Sequence, residues 1–333
     1  MQDRMVNIVA ASPLSKESLG LIQAMSDRIT LEQVSPLIVA EKKGDGAASA
    51  KLDSILARAE VLYGRIIHLP PGFFHRAPNL RWLQVMSAGV DRLPKEFLRS
   101  RVLVTNVGGI QAAAMGEFVL YFMLSLVKQA PLHFRMKQEK MWQRMQLATL
   151  RSKIVGIVGL GNVGREVARL CKAFGMRVIG TRRSARGAGR ARYIDQVLPR
   201  EELGHLLAES DFVVLAVPLT PETDKLVGEK ELRAMKPSAY LINISRGGIV
   251  DEQTLTRALE EKWIAGAGLD VFAVEPLPPE SRIWELPNVI FSPHVSGVME
   301  KYDIRATEVF CKNLRFYLEG KKFPKRVDSR KGY

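Results

Sequence analysis

The first hundred residues carry five short apolar runs, "VNIVA" (6–10), "PLIVA" (36–40), "VLYGR" (61–65), "RWLQVMS" (81–87) and "VLVTNV" (102–107). They are rich in β-branched residues and bounded by polar, glycine or proline positions, which predicts strands. Segments with helical spacing, such as 15–27, lie between them. Residues 111–146 carry no strand signal; their apolar spacing predicts a pair of helices interrupted near Pro131, a connector between two regions. From Lys153 the alternation resumes with "IVGIV", "MRVIGT", "FVVLAV", "AYLINI", "AGAGLDVF" and "NVIFS", and an amphipathic stretch at 251–262 reads as a helix among them. A last helix is predicted over 300–318, followed by the basic tail "KKFPKRVDSRKGY".

Strands alternating with helices predict α/β architecture, and right-handed crossovers make the sheets mostly parallel. Two such arrays give two doubly wound parallel-sheet domains. The simplest division is 1–107, completed by 296–333 because the last helix returns to the first array, and 108–295.

Composition narrows the class. A chain of 333 residues is long enough for two domains. The net charge of +14 fits acidic small substrates or a basic soluble exterior. It does not point to nucleic acid: outside 182–192 and the tail the cations are dispersed, and aromatics are not interleaved with them. Two cysteines, Cys171 and Cys311, exclude a disulfide framework or a cysteine zinc site and suit a reducing, cytoplasmic setting. The longest apolar run, 118–127, is half a membrane span, and 5–11 makes a poor signal peptide, so no membrane partner is expected.

The stretch "IVGIVGLGNVGREVA" (154–168) sets Gly159, Gly161 and Gly164 after an apolar run and before a helix-like segment beginning at Asn162 and Val163. Amides at a helix N-terminus bind anions, so a phosphate ligand is the leading reading, although the spacing also occurs in ordinary glycine turns. In open α/β sheets ligands bind beyond the carboxyl ends of strands. The unusual residues of the second array fall there: Arg246 after "YLINIS", Glu275 after "LDVF" and His294 after "VIFSP". Each has a plain alternative, a solvated arginine, a surface carboxylate or a backbone-bonded histidine. Together they describe a redox site for a small acid. No G-x-S-x-G, H-E-x-x-H, Walker or EF-hand pattern is present, and no metal-ligand spacing.

The runs "GIVGLGNVG", "SDFVVLAVPLTPET", "MKPSAYLINISRGGIVDEQTL", "AGAGLDVFAVEPLP" and "NVIFSPHVSG", with weaker matches at "LQVMSAGVDRLP" and "VTNVGGIQAAAMGEFVL", make the chain resemble the D-isomer-specific 2-hydroxyacid dehydrogenases. The resemblance implies a Rossmann dinucleotide-binding domain and a flavodoxin-like substrate domain. It implies a catalytic trio: Arg246 gripping the substrate carboxylate and carbonyl, His294 exchanging the proton, and Glu275 partnering His294. The backbone around Ser87, Ala88 and Gly89 would hold the substrate carboxylate, Val217 and Pro218 would line the dinucleotide, and Asp270 would lie near the nicotinamide. Hinges would fall at 106–110 and 294–297, and the 111–146 helices would form a homodimer. Imidazole suits the proton and arginine's planar fork suits a carboxylate.

For the cofactor, NAD-binding members place an acid about 20 positions past the glycine loop. Here "MRVIGT" runs into Arg182, Arg183 and Ser184. A guanidinium pairs with a 2′-phosphate, so NADP(H) is expected over NAD(H), with NAD(H) possible; an exposed basic loop is the plain alternative. The implied activity is interconversion of a small 2-oxo acid and its D-2-hydroxy acid. A dinucleotide-sensing corepressor and a formate- or phosphite-dehydrogenase type remain open, the formate type being disfavoured by Glu275.

Overall fold

A computed structural model describes residues 4–94, 97 and 100–328. The chain divides into two units, Met1–Ile110 with Met299–Tyr333, and Gln111–Val298.

In the first unit, strands β1 (Val6–Ala10), β2 (Ile29–Gln33), β3 (Val61–Gly64), β4 (Trp82–Val85) and β5 (Leu103–Asn106) form one parallel sheet in the order β2-β1-β3-β4-β5. This is the flavodoxin-like doubly wound order. β3 and β4 are buried along their whole length, as a central parallel strand covered on both faces must be. Helix Gly46–Arg58 packs Leu52 and Leu56 with Val9, Leu62 and Leu83. The opposite face is covered by Ile22 and by Ala306, Phe310 and Leu314 of helix Tyr302–Leu318, against Ile8, Tyr63 and Trp82. Phe310 stacks on Tyr63 with centroids 4.3 Å apart, and its full burial contributes about 2 kcal/mol. The same helix satisfies the polar core: Asn313 donates to Gln84 Oε1 at 2.8 Å, which also accepts from Thr105 at 2.6 Å.

One expected strand is a helix. "PLIVA" lies within helix Ser35–Lys42, with Pro36 in its first turn, where the missing N–H costs nothing. A run of consecutive apolar residues does not distinguish a buried strand from a helix. The strand at this edge is "ITLEQ", half-exposed and therefore weakly apolar. The connector is also shorter in helix than expected: Ala112–Val127 and Ala130–Gln138 are helical, with Pro131 opening the second, and 140–149 are not.

In the second unit, β6 (Ile154–Val158), β7 (Arg177–Thr181), β8 (Gly189–Ala191), β9 (Ile194–Leu198), β10 (Phe212–Leu215), β11 (Tyr240–Asn243), β12 (Gly266–Leu269) and β13 (Val289–Phe291) run in the order β13-β12-β11-β10-β6-β7-β9-β8. All pairs are parallel except β8–β9. Strand order reverses between β6 and β10, the Rossmann switch point. β8 is fully exposed, so its residues carry no apolar signal, and the arginine-rich stretch hides a hairpin. Among the described residues no helix is long and apolar enough to cross a membrane.

Candidate functional site

The glycine loop leaves β6 at the switch point. Gly159 has φ +101°, and a Cβ there would press on Ala216 O and Val217, so glycine alone fits. A Cβ on Gly164 would strike Gly159 O, which brings helix Asn162–Ala173 close under the loop. A Cβ on Gly161 would meet nothing within 4 Å. The loop thus opens toward solvent at its middle glycine, and the first-turn amides of Asn162, Val163 and Gly164 follow directly. Gly161 caps this helix without any side-chain bond, leaving the turn suited to an anion. The residues therefore fit a dinucleotide pyrophosphate. Val217 is brought against the loop, and Pro218 O accepts from Thr223 Oγ1 at 2.6 Å, shaping the turn after β10.

Past β7, Arg182 N–H is tied to Leu198 O and Ala185 N–H returns to Arg182 O, a turn that exposes Arg182, Arg183 and Ser184. Glu222, in the loop after β10, is held below the usual carboxylate range by the Thr220 hydroxyl and, more weakly, by Arg200 and Arg183. Arg200 thus joins this basic region; nothing in its sequence neighbourhood marked it.

Arg246 follows β11. Asn243 braces its turn, donating to Arg246 O at 3.0 Å and accepting from Ser245 N–H at 3.1 Å, while Ser245 Oγ donates to Leu215 O at 2.5 Å. Gly247 lies so close to the Phe272–Ala273 backbone that no Cβ fits. This contact joins the arginine's turn to the segment leading into Glu275. Glu275 accepts from Phe272 N–H through Oε1 at 3.2 Å and meets His294 Nδ1 through Oε2 at 2.8 Å. An ionised carboxylate only accepts, so Nδ1 carries the hydrogen in this pair, which leaves Nε2 for exchange.

His294 has φ +55°, a left-handed conformation that costs roughly 1 kcal/mol in a non-glycine residue. Asp270 holds it there. Its carbonyl accepts His294 N–H at 2.8 Å, and its wholly buried carboxylate accepts from Ser292 Oγ, Val295 N–H and Ser296 N–H at 2.6, 2.8 and 3.0 Å. Gln111 adds a bond from Nε2 to Gly297 O at 3.0 Å. Asn243, Ser245, Ser292, Ser296 and Gln111 were not singled out from sequence. The first four sit within a few residues of Arg246 or His294, and that proximity was the available signal; Gln111 is remote from both, and its only signal was its place in "VTNVGGIQAAAMGEFVL" beside the expected hinge at 106–110.

In the first unit, the turn after β4 has its carbonyls tied down: Met86 O accepts from Tyr302, Ala88 O from Asn106 and Gly89 O from Ser87 Oγ, at 2.5, 2.7 and 2.7 Å.

Comparison with known proteins identifies the family. Residues 120–296, over half of the chain, match the family model described as D-isomer specific 2-hydroxyacid dehydrogenase, NAD binding domain. Glyoxylate reductases of Korarchaeum cryptofilum and Thermococcus gammatolerans are each 36% identical to it, over 77% of this chain and 78% of theirs. The crystal structure of a D-isomer specific 2-hydroxyacid dehydrogenase from Xanthobacter autotrophicus Py2, in complex with NADPH and MES, superposes with TM-score 0.82 at 28% identity, covering 99% of this chain and all of that one.

Proposed function

Since the chain belongs to the D-isomer specific 2-hydroxyacid dehydrogenase family, we propose that it is an NAD(P)-dependent reductase that converts a small 2-oxo acid into its D-2-hydroxy acid and prefers NADPH. The observation that carries this reading is the His294–Glu275 pair at 2.8 Å, at the same sheet edge as the glycine cradle and Arg246. The dinucleotide, when bound, supplies the hydride. His294 gives its Nε2 proton to the carbonyl oxygen, worth roughly 10²–10⁴ in rate. Glu275 fixes the ring and the tautomer, and Arg246 holds the carboxylate and carbonyl by charge-assisted bonds. The main chain at Ser87, Ala88 and Gly89 supplies further donors to the carboxylate. Asp270 keeps its place at the nicotinamide end, with its charge already committed to the loop that carries His294.

Gly159, Gly161, Asn162, Val163 and Gly164 cradle the pyrophosphate in this reading, with Val217 and Pro218 beside it. Arg182, Arg183 and Ser184 receive the 2′-phosphate, where an NAD-selective site would present a carboxylate. The Xanthobacter protein's complex with NADPH supports the cofactor choice, and the glyoxylate reductases support a small substrate. Exposed apolar side chains on the connector, Phe134 at 70% and Trp142 at 95%, support a homodimer, which solution sizing tests.

The experiment is a panel of 2-oxo acids with NADPH and NADH, following loss of the reduced nicotinamide absorbance and the chirality of the product. Turnover with an NADPH preference and D-product is expected. No turnover with either cofactor, with dinucleotide binding retained, overturns the enzyme assignment in favour of a sensor; an NADH preference overturns the phosphate assignment.

A further inference from the structure

β1, β3 and β4 are adjacent in the first sheet, and their carboxyl ends deliver Ser12, Arg65 and Ser87 side by side. Gly64 pairs with Val85, and Met86 N–H donates to Gly64 O at 2.9 Å, so Arg65 leaves the sheet one strand from the Ser87–Gly89 turn. Arg65 is exposed, yet both its ends are anchored. Its N–H donates to the buried Ser12 Oγ at 2.8 Å, and that hydroxyl bonds His68 Nδ1 at 2.9 Å. Burial, then the charges of Arg65 and Lys42, hold His68 below its usual range, which favours the neutral ring beside Ser12. At the other end the guanidinium lies over the Tyr302 ring, 5.0 Å from its centroid. Tyr302 is itself clamped through its hydroxyl to Met86 O, the residue preceding the proposed carboxylate turn.

Among the described residues no carboxylate pairs with this guanidinium. The ring contact uses the charge of the guanidinium and none of its fork of N–H donors. Packing alone does not require a cation here, since a leucine would cover the same ring. Neighbouring strands lie about 4.8 Å apart, so Arg65 and the Ser87–Gly89 turn start close enough together for one small substrate to reach both.

We infer that Arg65 is a specificity-determining residue that receives a second carboxylate on the substrate, making 2-oxo dicarboxylates the favoured class over 2-oxo acids with neutral side chains. This rests on the reductase reading and on the placement of the first carboxylate at the Ser87–Gly89 turn.

The test compares 2-oxoglutarate with 2-oxopentanoate, which share a carbon chain and differ only in the second carboxylate, with glyoxylate as a third substrate and NADPH as reductant. The native enzyme should favour the dicarboxylate in kcat/KM. In Arg65→Leu the dicarboxylate-to-monocarboxylate ratio should fall roughly ten- to hundredfold, because a charge-assisted bond is lost, with the change carried by the dicarboxylate KM. Arg65→Lys, which keeps the charge without the fork, should restore part of the ratio. A native preference for 2-oxopentanoate, or an unchanged ratio in Arg65→Leu, overturns the inference while leaving the reductase reading intact. Failure to turn over any of the three overturns both.

Discussion

The carboxyl edges of the two sheets are built from different materials. In the second unit the edge is made of side chains and glycines whose identity the packing dictates: Gly164 lies under Gly159 O, Gly247 against Phe272–Ala273, and Asp270 is wholly buried with three donors on its carboxylate. In the first unit the turn after β4 offers mainly backbone, its carbonyls tied back by Tyr302, Asn106 and Ser87. Main chain is supplied by any residue. An edge of the first kind performs one chemistry and tolerates little change, whereas an edge of the second kind leaves its side chains free to set which substrate enters.

The largest effect should come from the first kind. His294→Ala removes the proton donor and should lower kcat by roughly 10²–10⁴ while dinucleotide binding, followed by fluorescence titration, is retained. A nearly native rate would take His294 out of the mechanism and erase the contrast between the edges.

Asp270→Asn comes next. Replacing one oxygen by an amide sets its hydrogens against donors at Ser292, Val295 or Ser296, all of which now point at a buried acceptor. A loss of about 2 kcal/mol in unfolding free energy is expected, since a buried group left without a partner forfeits its desolvation cost, and turnover should slow as His294 leaves its left-handed conformation. If the melting temperature is unmoved, the carboxylate is not what holds the loop.

These two residues also show what was legible beforehand. His294, Glu275, Arg246 and the glycines stood out because they fall together past the carboxyl ends of strands and the ordered motifs carried them. Asp270 was marked for the nicotinamide, but its hold on the histidine loop was invisible, because a carboxylate's three backbone and hydroxyl donors leave no pattern in composition. The sheets were legible where strands are buried, as at "VLYGR" and "FVVLAV", since burial on both faces demands continuous apolar residues. At the edges the result was divided: β5 and β13 were read from "VLVTNV" and "NVIFS", whereas β2 and β8 were not. "ITLEQ" and β8 lack buried residues and gave no strand signal, while "PLIVA" reads as strand and folds as helix.

A smaller change is expected at the basic turn past β7. Arg182→Ser with Arg183→Ser should reduce the NADPH-over-NADH ratio of kcat/KM by roughly tenfold or more, as exposed charge-assisted contacts to the 2′-phosphate are lost. An unaltered ratio would return these arginines to the solvated surface.

The smallest effect separates stability from chemistry in the first unit. Glu41 accepts from Arg76 at 2.8 and 3.2 Å and from Ser49 Oγ at 2.8 Å, and Arg76 also reaches Asp53. The Arg76 hydrogen bonds, opposed by burial, hold the Glu41 carboxyl below its ordinary value of 4.5. A carboxyl whose folded pKa is depressed contributes stability that is complete above its unfolded value and is lost as the pH falls through the folded one. Unfolding free energy should therefore decline on acidification below about pH 4.5, and Glu41→Gln, which cannot titrate, should flatten part of that decline while costing a modest amount at neutral pH. An acid limb of unchanged slope in Glu41→Gln would mean that the pair contributes nothing to acid sensitivity. The comparison then turns on Arg65→Leu: it should alter the substrate ratio and leave this acid limb as it is, because Arg65 follows a strand of the sheet whereas Glu41, Asp53 and Arg76 lie on the helices.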